Sequence, residues 1–175
     1  IPHLLQNGGD FIGQAQTGTG KTAAFGIPLL QYVDPKIQKI QGLVLAPTRE
    51  LAKQIAKQLF RFARYSSERI FTEAVYGGDP IEKQRAALNR PTHIVVATPG
   101  RLIDLLKINA LDLSGVHIAI LDEADEMLSM GFKKELETIL EHLTVKRRTW
   151  LFSATMPKAL RQLIKNYMST EAHTI

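Results

Sequence analysis

The chain of 175 residues contains no cysteine. That absence excludes a disulfide framework, thiol nucleophiles and thiolate metal sites, and it suits a reducing compartment such as the cytoplasm. No run approaches the roughly 20 consecutive apolar residues that a membrane-spanning helix needs, and no basic, apolar leader opens the sequence, so no membrane association is expected. Internal repeats, low-complexity tracts and Gly/Ser linkers are missing as well, which makes a single domain the simplest organisation. The histidines His3, His93, His117, His142 and His173 have no metal-ligand spacing and are assigned no metal. What is present is ordinary for a globular fold. Hydrophobic residues make up 45% and charged residues 22%, enough to bury a core without covalent staples. With 22 Lys and Arg against 17 Asp and Glu, the net charge of +5 permits an anionic partner without requiring one.

Short β-branched or apolar runs recur at 10–15, 42–46, 71–76, 94–98, 116–122 and 149–153, several apolar on successive residues as strands buried on both faces are. Between them lie stretches of helical period. Leu51, Ile55, Leu59 and Phe62 fall three or four apart behind Thr48, which stands where an N-cap belongs. Leu136, Ile139, Leu140 and Leu143 repeat the spacing, as do Leu160, Leu163, Ile164 and Tyr167 behind Pro157. Pro28 falls inside the first crossover helix, where it should introduce a kink. Strand and helix alternate, so the expected fold is α/β: a mostly parallel central sheet with helices on both faces, and chemistry at the carboxyl ends of the strands. Residues 1–5 read as the tail of a helix already under way, and His173-Thr174-Ile175 as a strand that stops before it can pair. An excised domain, 1–175, truncated at both ends and monomeric, is the expectation.

The first strand runs into Gln16-Thr17-Gly18-Thr19-Gly20-Lys21-Thr22 and then helix-forming residues. A polyphosphate needs a backbone that turns tightly and aims several N–H groups inward, which Gly18 and Gly20 permit. The helix N-terminus beyond adds positive potential, the Lys21 ammonium can bridge β- and γ-phosphate oxygens, and the Thr22 hydroxyl can ligate Mg²⁺. Ala15 breaks the pattern G-x-x-x-x-G-K-[ST] at its first position. A Gly-rich turn is the bland reading, but a Gly-Lys-Thr at a strand-to-helix junction favours nucleotide binding.

A second strand, 116–121, delivers Asp122-Glu123-Ala124-Asp125 to its carboxyl end. Mg²⁺ keeps most of its waters and takes one or two carboxylates, so Asp122 can hold the ion while Glu123 orients and deprotonates an attacking water. An acidic first turn serving only the helix dipole is the alternative. The phosphate loop upstream tips the balance, since hydrolysis of a nucleoside triphosphate needs both halves.

These residues resemble the motifs of the DEAD-box ATP-dependent RNA helicases. AQTGTGKT at 15–22 is similar to the family's first motif, in which Ala15 is a regular residue. Pro47-Thr48-Arg49-Glu50-Leu51-Ala52, Gly77-Gly78, Thr98-Pro99-Gly100-Arg101, the tetrad 122–125, Met130-Gly131-Phe132 and Ser153-Ala154-Thr155 follow in family order over essentially the whole chain. The resemblance implies the first of two RecA-like P-loop NTPase domains, with ATP and Mg²⁺ as cofactors and the second domain as a partner. Lys21, Asp122 and Glu123 would carry the catalytic roles already derived. Asp125 would hydrogen-bond the Ser153 and Thr155 hydroxyls and couple the nucleotide site to the interdomain surface.

For single-stranded or short-duplex RNA, the resemblance points to Pro47, Thr48 and Arg49, to Gly77 and Gly78, and to Thr98, Pro99, Gly100 and Arg101. Each loop follows a strand and precedes a helix, so N–H groups, threonine hydroxyls and an arginine can meet successive phosphates without reading bases. Arg49 and Arg101 taken singly would pass for surface arginines. The helix from Arg101 to Lys107 corresponds to the family element that bends bound RNA. Lys133-Lys134 and Lys146-Arg147-Arg148 are read as solvated faces. The family's adenine-reading glutamine motif lies upstream of where this sequence starts, and Gln6 and Gln16 do not occupy its place. Its arginine fingers belong to the second domain, so the isolated chain should hydrolyse ATP very slowly. A non-catalytic RNA clamp of the same fold is the alternative, against which the intact Lys21, Thr22, Asp122 and Glu123 speak. A DNA translocase is disfavoured by the Asp125 ending of the tetrad.

Overall fold

The apolar runs become strands because their β-branched residues fit a pleated surface buried on both sides. In the computed structural model, which describes residues 8–16, 20–143 and 146–174, the strands are β1 (Phe11–Gln14), β2 (Gly42–Leu45), β3 (Thr72–Val75), β4 (Ile94–Ala97), β5 (Ile118–Leu121), β6 (Arg148–Ser153) and β7 (His173–Thr174). The helices are α1 (Lys21–Tyr32), α2 (Arg49–Ala63), α3 (Ile81–Leu88), α4 (Pro99–Lys107), α5 (Ala124–Ser129), α6 (Lys133–His142) and α7 (Lys158–Tyr167). The expected helical tail at residues 1–5 lies outside the described residues, as do Thr17, Gly18 and Thr19. α1 continues past the buried Pro28 to Tyr32.

The sheet has the order β3-β4-β2-β5-β6-β1-β7, and its pairings are parallel. Val44 of β2 stands between Val96 of β4 and Ile120 of β5. The two-residue period of the strands divides the interior into two cores. Val44, Val96, Ile118, Ile120 and Trp150 pack with α1 and α2 through Phe25, Leu29, Ile55 and Leu59. Leu43, Leu45, Val95, Ala119, Leu121 and Leu151 pack on the other face with residues of α4 to α7, among them Leu102, Met127, Ile139 and Leu163. α2 starts where Thr48 accepts a hydrogen bond from the Leu51 N–H at 3.2 Å. Its apolar stripe, Ala52, Ile55, Leu59 and Ala63, is buried.

Two expectations need correction. His173-Thr174 does pair: it forms β7 beside β1, with Phe11 opposite His173 and Ile12 opposite Thr174. The cause is Asp10, whose carboxylate accepts the N–H of Thr149 and the N–H of Ser169, each at 2.6 Å. That clamp returns the chain after α7 to the start of β1, where the His173 N–H donates to the Asp10 carbonyl and the His173 ring stacks on Phe11. The basic run 146–148 is not simply a solvated face. The Arg148 guanidinium sits 4.3 Å over the Tyr32 ring, and half-buried Arg147 donates to the Leu143 carbonyl at 2.9 Å.

Hydrogen bonds to an ionised carboxylate contribute about 1.5–3 kcal/mol each. Asp10→Ala should therefore cost about 3 kcal/mol in urea unfolding, and Asp10→Asn, which keeps an acceptor, about half as much. An unchanged midpoint in both would remove the clamp as the reason β7 pairs.

Candidate nucleotide site and nucleic-acid interface

The ends of β1, β6 and β5 lie side by side, and each delivers one part of the first site. Beyond β1, the Ala15 N–H still donates to the Ser153 carbonyl at 3.1 Å, which keeps the loop against β6. Gly20 then adopts φ +82° at the entry to α1, a left-handed conformation that a side chain disfavours. Its carbonyl accepts from the N–H groups of Ala23 and Ala24, and among the described residues no side chain caps the helix, whose N-terminus carries the positive end of its dipole. Lys21 opens that helix, is largely buried, and reaches across β6 to Asp122, with Nζ 3.7 Å from Oδ1. Thr22 follows it, partly buried.

Asp122 sits just past the end of β5, its backbone N–H bonded to the Leu45 carbonyl and its carboxylate accepting the Glu123 N–H at 3.0 Å. Its side chain is only 4% exposed. Burial pushes its pKa up to about 6; Lys21 pulls it down, Glu123 pushes it further up, and burial prevails. A buried carboxylate that the Lys21 ammonium compensates incompletely is a fit for a divalent cation. Glu123 itself lies at φ 51° and ψ 50°. This sparsely populated conformation, costly by about 1–2 kcal/mol for a side chain of this kind, ends the strand abruptly so that α5 begins at Ala124.

Asp125, in the first turn of α5, reaches the end of β6. Its carboxylate accepts from the Thr155 hydroxyl at 2.7 Å and the Thr155 N–H at 2.9 Å, and its own N–H donates to the Ser153 hydroxyl at 3.2 Å. The Ser153 hydroxyl in turn donates to the Thr155 carbonyl at 2.8 Å. Burial works to raise the Asp125 pKa, but the hydrogen bonds from Thr155, Ser153 and Glu126 outweigh it and hold the carboxyl below its ordinary value.

The second group of loops stands at the carboxyl ends of β2, β3 and β4. Asp79, which sequence reasoning passed over, draws them together. Its carboxylate pairs with the Arg49 guanidinium at 3.0 Å, and its carbonyl accepts from Arg101 at 3.0 Å. Gly78 needs φ +93°, and a Cβ there would stand 3.1 Å from Arg49 Nη1. Tyr76 lies under both the Arg49 guanidinium and the Lys53 ammonium, at 5.0 and 5.1 Å from its ring centre. Buried Gln84 exchanges two hydrogen bonds with the Tyr76 backbone, 3.1 and 2.9 Å, and so fixes the strand exit into Gly77. Thr98 is buried, its N–H bonded to the Val75 carbonyl, and Pro99 and Gly100 open α4. Pro47 and Thr48 precede α2 in the same way. An aspartate after a glycine doublet carries a turn signal but not its arginine partners. A buried glutamine among charged helix residues carries no signal at all.

A parallel sheet of this order, with a loop-to-helix lysine facing the acidic end of a nearby strand, defines a RecA-like P-loop NTPase domain. The sequence pattern of the family described as DEAD/DEAH box helicase matches residues 1–163. The chain is 53% identical over 173 residues to the DEAD-box ATP-dependent RNA helicase CshA of Streptococcus pneumoniae, covering 99% of this chain and 32% of that protein. It is 50% identical over 169 residues to CshA of Geobacillus kaustophilus, covering 97% and 36%. Among solved structures, a DEAD box protein from the hyperthermophile Methanococcus jannaschii superposes with TM-score 0.92 at 41% identity, over 99% of this chain and 47% of that one. A hypothetical ATP-dependent RNA helicase from Sulfolobus tokodaii gives 0.88 at 41% identity, over 100% and 50%. The chain belongs to the DEAD/DEAH box helicase family. It spans about a third of the length of these curated relatives.

Asp122 makes stability depend on pH with an unusual sign. Its folded value of about 6 lies above the ordinary carboxyl value, so between the two the folded chain holds more protons than the unfolded one. The contribution of this group is complete below about pH 4 and is lost as the pH rises through about 6. Asp122→Asn should accordingly stabilise the nucleotide-free chain by about 3 kcal/mol above neutral pH, and the gain should close toward pH 4 in a series of thermal melts. Destabilisation at neutral pH would mean that the Lys21 pair outweighs the cost of burial.

Proposed function

We propose that this chain is the N-terminal, ATP-binding domain of a two-domain, RNA-dependent ATPase of the cytoplasm that opens or remodels short RNA duplexes. The observation that carries the reading is the buried Lys21–Asp122 pair at 3.7 Å, set between a helix N-terminus and the Asp125–Thr155 bridge. Gln16, Thr17, Gly18, Thr19, Gly20, Lys21 and Thr22, the stretch that the family's first motif occupies, would bind the triphosphate through backbone N–H groups and the ammonium. Thr22 and Asp122 would hold Mg²⁺, which would supply neutralisation of the charge that develops on the triphosphate. Lys21, paired with Asp122 here, would bind the triphosphate oxygens. Glu123 orients the attacking water and takes its proton on a carboxylate oxygen.

RNA lies across Pro47–Arg49, Gly77-Gly78 and Thr98–Arg101, where threonines, arginines and helix N-termini meet its phosphates. Asp125, Ser153 and Thr155 couple the two sites, because movement of α5 on nucleotide binding pulls on the end of β6 and the segment facing a second RecA-like domain. That domain supplies the arginine fingers, and without it turnover falls by about 10³–10⁵. The identity of the relatives and the intact Lys21, Asp122 and Glu123 support catalysis over a passive clamp.

In the intact two-domain protein, Glu123→Gln should leave ATP affinity within about twofold and lower RNA-stimulated phosphate release by about 10²–10⁴. Lys21→Ala should instead weaken nucleotide binding itself. Fluorescent-nucleotide titration and a phosphate-release assay separate the two, and undiminished turnover in Glu123→Gln removes it as the base. RNA affinity should fall as salt rises and vary little with base sequence. Strong base selectivity in a competition assay would contradict a backbone-reading interface.

A further inference from the structure

The exposed side of α2 carries Arg49, Lys53, Lys57 and Arg61, four residues apart. Side chains at that spacing stand one above another, so the four cations form a ridge roughly 18 Å long that starts at the proposed RNA loops. Glu50, in the first turn, is the single acidic residue of the helix. Lys53, Lys57 and Arg61 are exposed, as is Arg64 one turn further on. Among the described residues no carboxylate lies within ion-pair distance of Lys53, Lys57, Arg61, Arg64 or Arg69. A solvated helix face ordinarily mixes signs; this one does not.

The ridge runs beside β3, one of the two edge strands of the sheet. At its far end lies a groove of about 610 Å³ lined by Phe60, Arg64, Arg69 and Phe71. Phe60 is 64% exposed, Phe71 42%, and Tyr65 next to the groove 92%. Three exposed aromatic rings in so short a stretch cost solvation that an apolar or π-faced partner would recover. Glu68 and Glu73, also at the groove, are engaged by Lys36 and Arg90. Its uncommitted charge is therefore positive, and a second copy of this chain, itself at +5, is a poor occupant.

We propose that the α2–β3 flank is an accessory track for single-stranded RNA, continuing from the Arg49 and Gly77-Gly78 loops down to the Phe60–Phe71 groove. The proposal rests on the RNA reading of those loops and extends it. Lys53, Lys57, Arg61 and Arg64 take successive phosphates, and Phe60, Tyr65 and Phe71 stack unpaired bases without selecting among them. Cation rows with interleaved aromatics are what sequence-tolerant single-strand binding requires. Continuity favours RNA: Tyr76 holds Arg49 and Lys53 against one ring, so the ridge and the loops are one surface. The track engages only strands long enough to leave the loops.

The test uses the intact two-domain protein and oligouridylates of about 6 and about 20 nucleotides, read by fluorescence anisotropy with a non-hydrolysable ATP analogue. The longer strand should bind tighter and with the steeper salt dependence. Lys57→Glu with Arg61→Glu should weaken the longer strand about tenfold and flatten its salt slope by about 1.4, at roughly 0.7 for each phosphate no longer neutralised. The shorter strand should bind the variant as it binds the wild type. Phe60→Ala, at an exposed position, should weaken the longer strand about tenfold without moving its salt slope. Equal binding of the longer strand by wild type and both variants, with the shorter strand still bound, overturns the track and leaves the loop reading standing. Failure of either length to bind overturns both. Unaltered RNA binding with polyglutamate captured through Lys57 and Arg61 overturns it in favour of an acidic protein partner.

Discussion

A lysine and an aspartate held 3.7 Å apart in near-complete burial are the constraint around which this domain is organised. Withdrawing two opposite charges from water costs more than their mutual attraction returns unless other groups share the load. Here they share it sparingly. The Asp122 carboxylate takes one backbone N–H in addition to Lys21, and burial still lifts its pKa to about 6. Such a pair is better understood as a site held ready than as a contribution to stability. In the proposed reading each partner has an alternative: phosphate oxygens for the ammonium, a divalent cation for the carboxylate.

The surrounding structure follows from keeping that pair in place. β6 lies between the strands that supply the two residues, and its last residue, Ser153, receives the N–H of Asp125 from the turn that follows Asp122. The acidic turn is thereby tied to Ser153 and Thr155 through one small hydrogen-bond network. On the far half of the sheet, Asp79 performs a comparable gathering function. It ties arginines from two loops to the exit of β3, so three segments distant in sequence present one basic edge. Charge pairs thus set both groups of loops, one pair buried and one half-exposed.

Much of this was legible in the residues. Six strands could be placed to within one or two residues, the central ones because fully buried parallel strands read as unbroken apolar runs, and α2 could be started at Thr48 because an N-cap has a chemical signature. Lys21 and Asp122 are expected at one site from the partners that phosphate and metal demand, and the two side chains do stand 3.7 Å apart. What could not be read was long-range and polar. β7 is two residues long and exists through the Asp10 clamp, made with residues 139 and 159 positions away. That β6 stands between β1 and β5 is a matter of strand order, which periodicity does not encode. Asp79 and Gln84 resemble any surface residue until their partners are known, and the ridge on α2 becomes visible only when the helix is seen bare of carboxylates along one flank.

The central claim is that the buried pair opens to receive a magnesium-bound triphosphate. A crystal structure of the chain with a non-hydrolysable ATP analogue and Mg²⁺ tests it most directly. The account predicts that Lys21 Nζ leaves Asp122 for the β- and γ-phosphate oxygens while Asp122 turns to the metal's water shell, with Thr22 as a direct ligand. A nucleotide seated elsewhere, with Lys21 and Asp122 still paired as they are now, would contradict it.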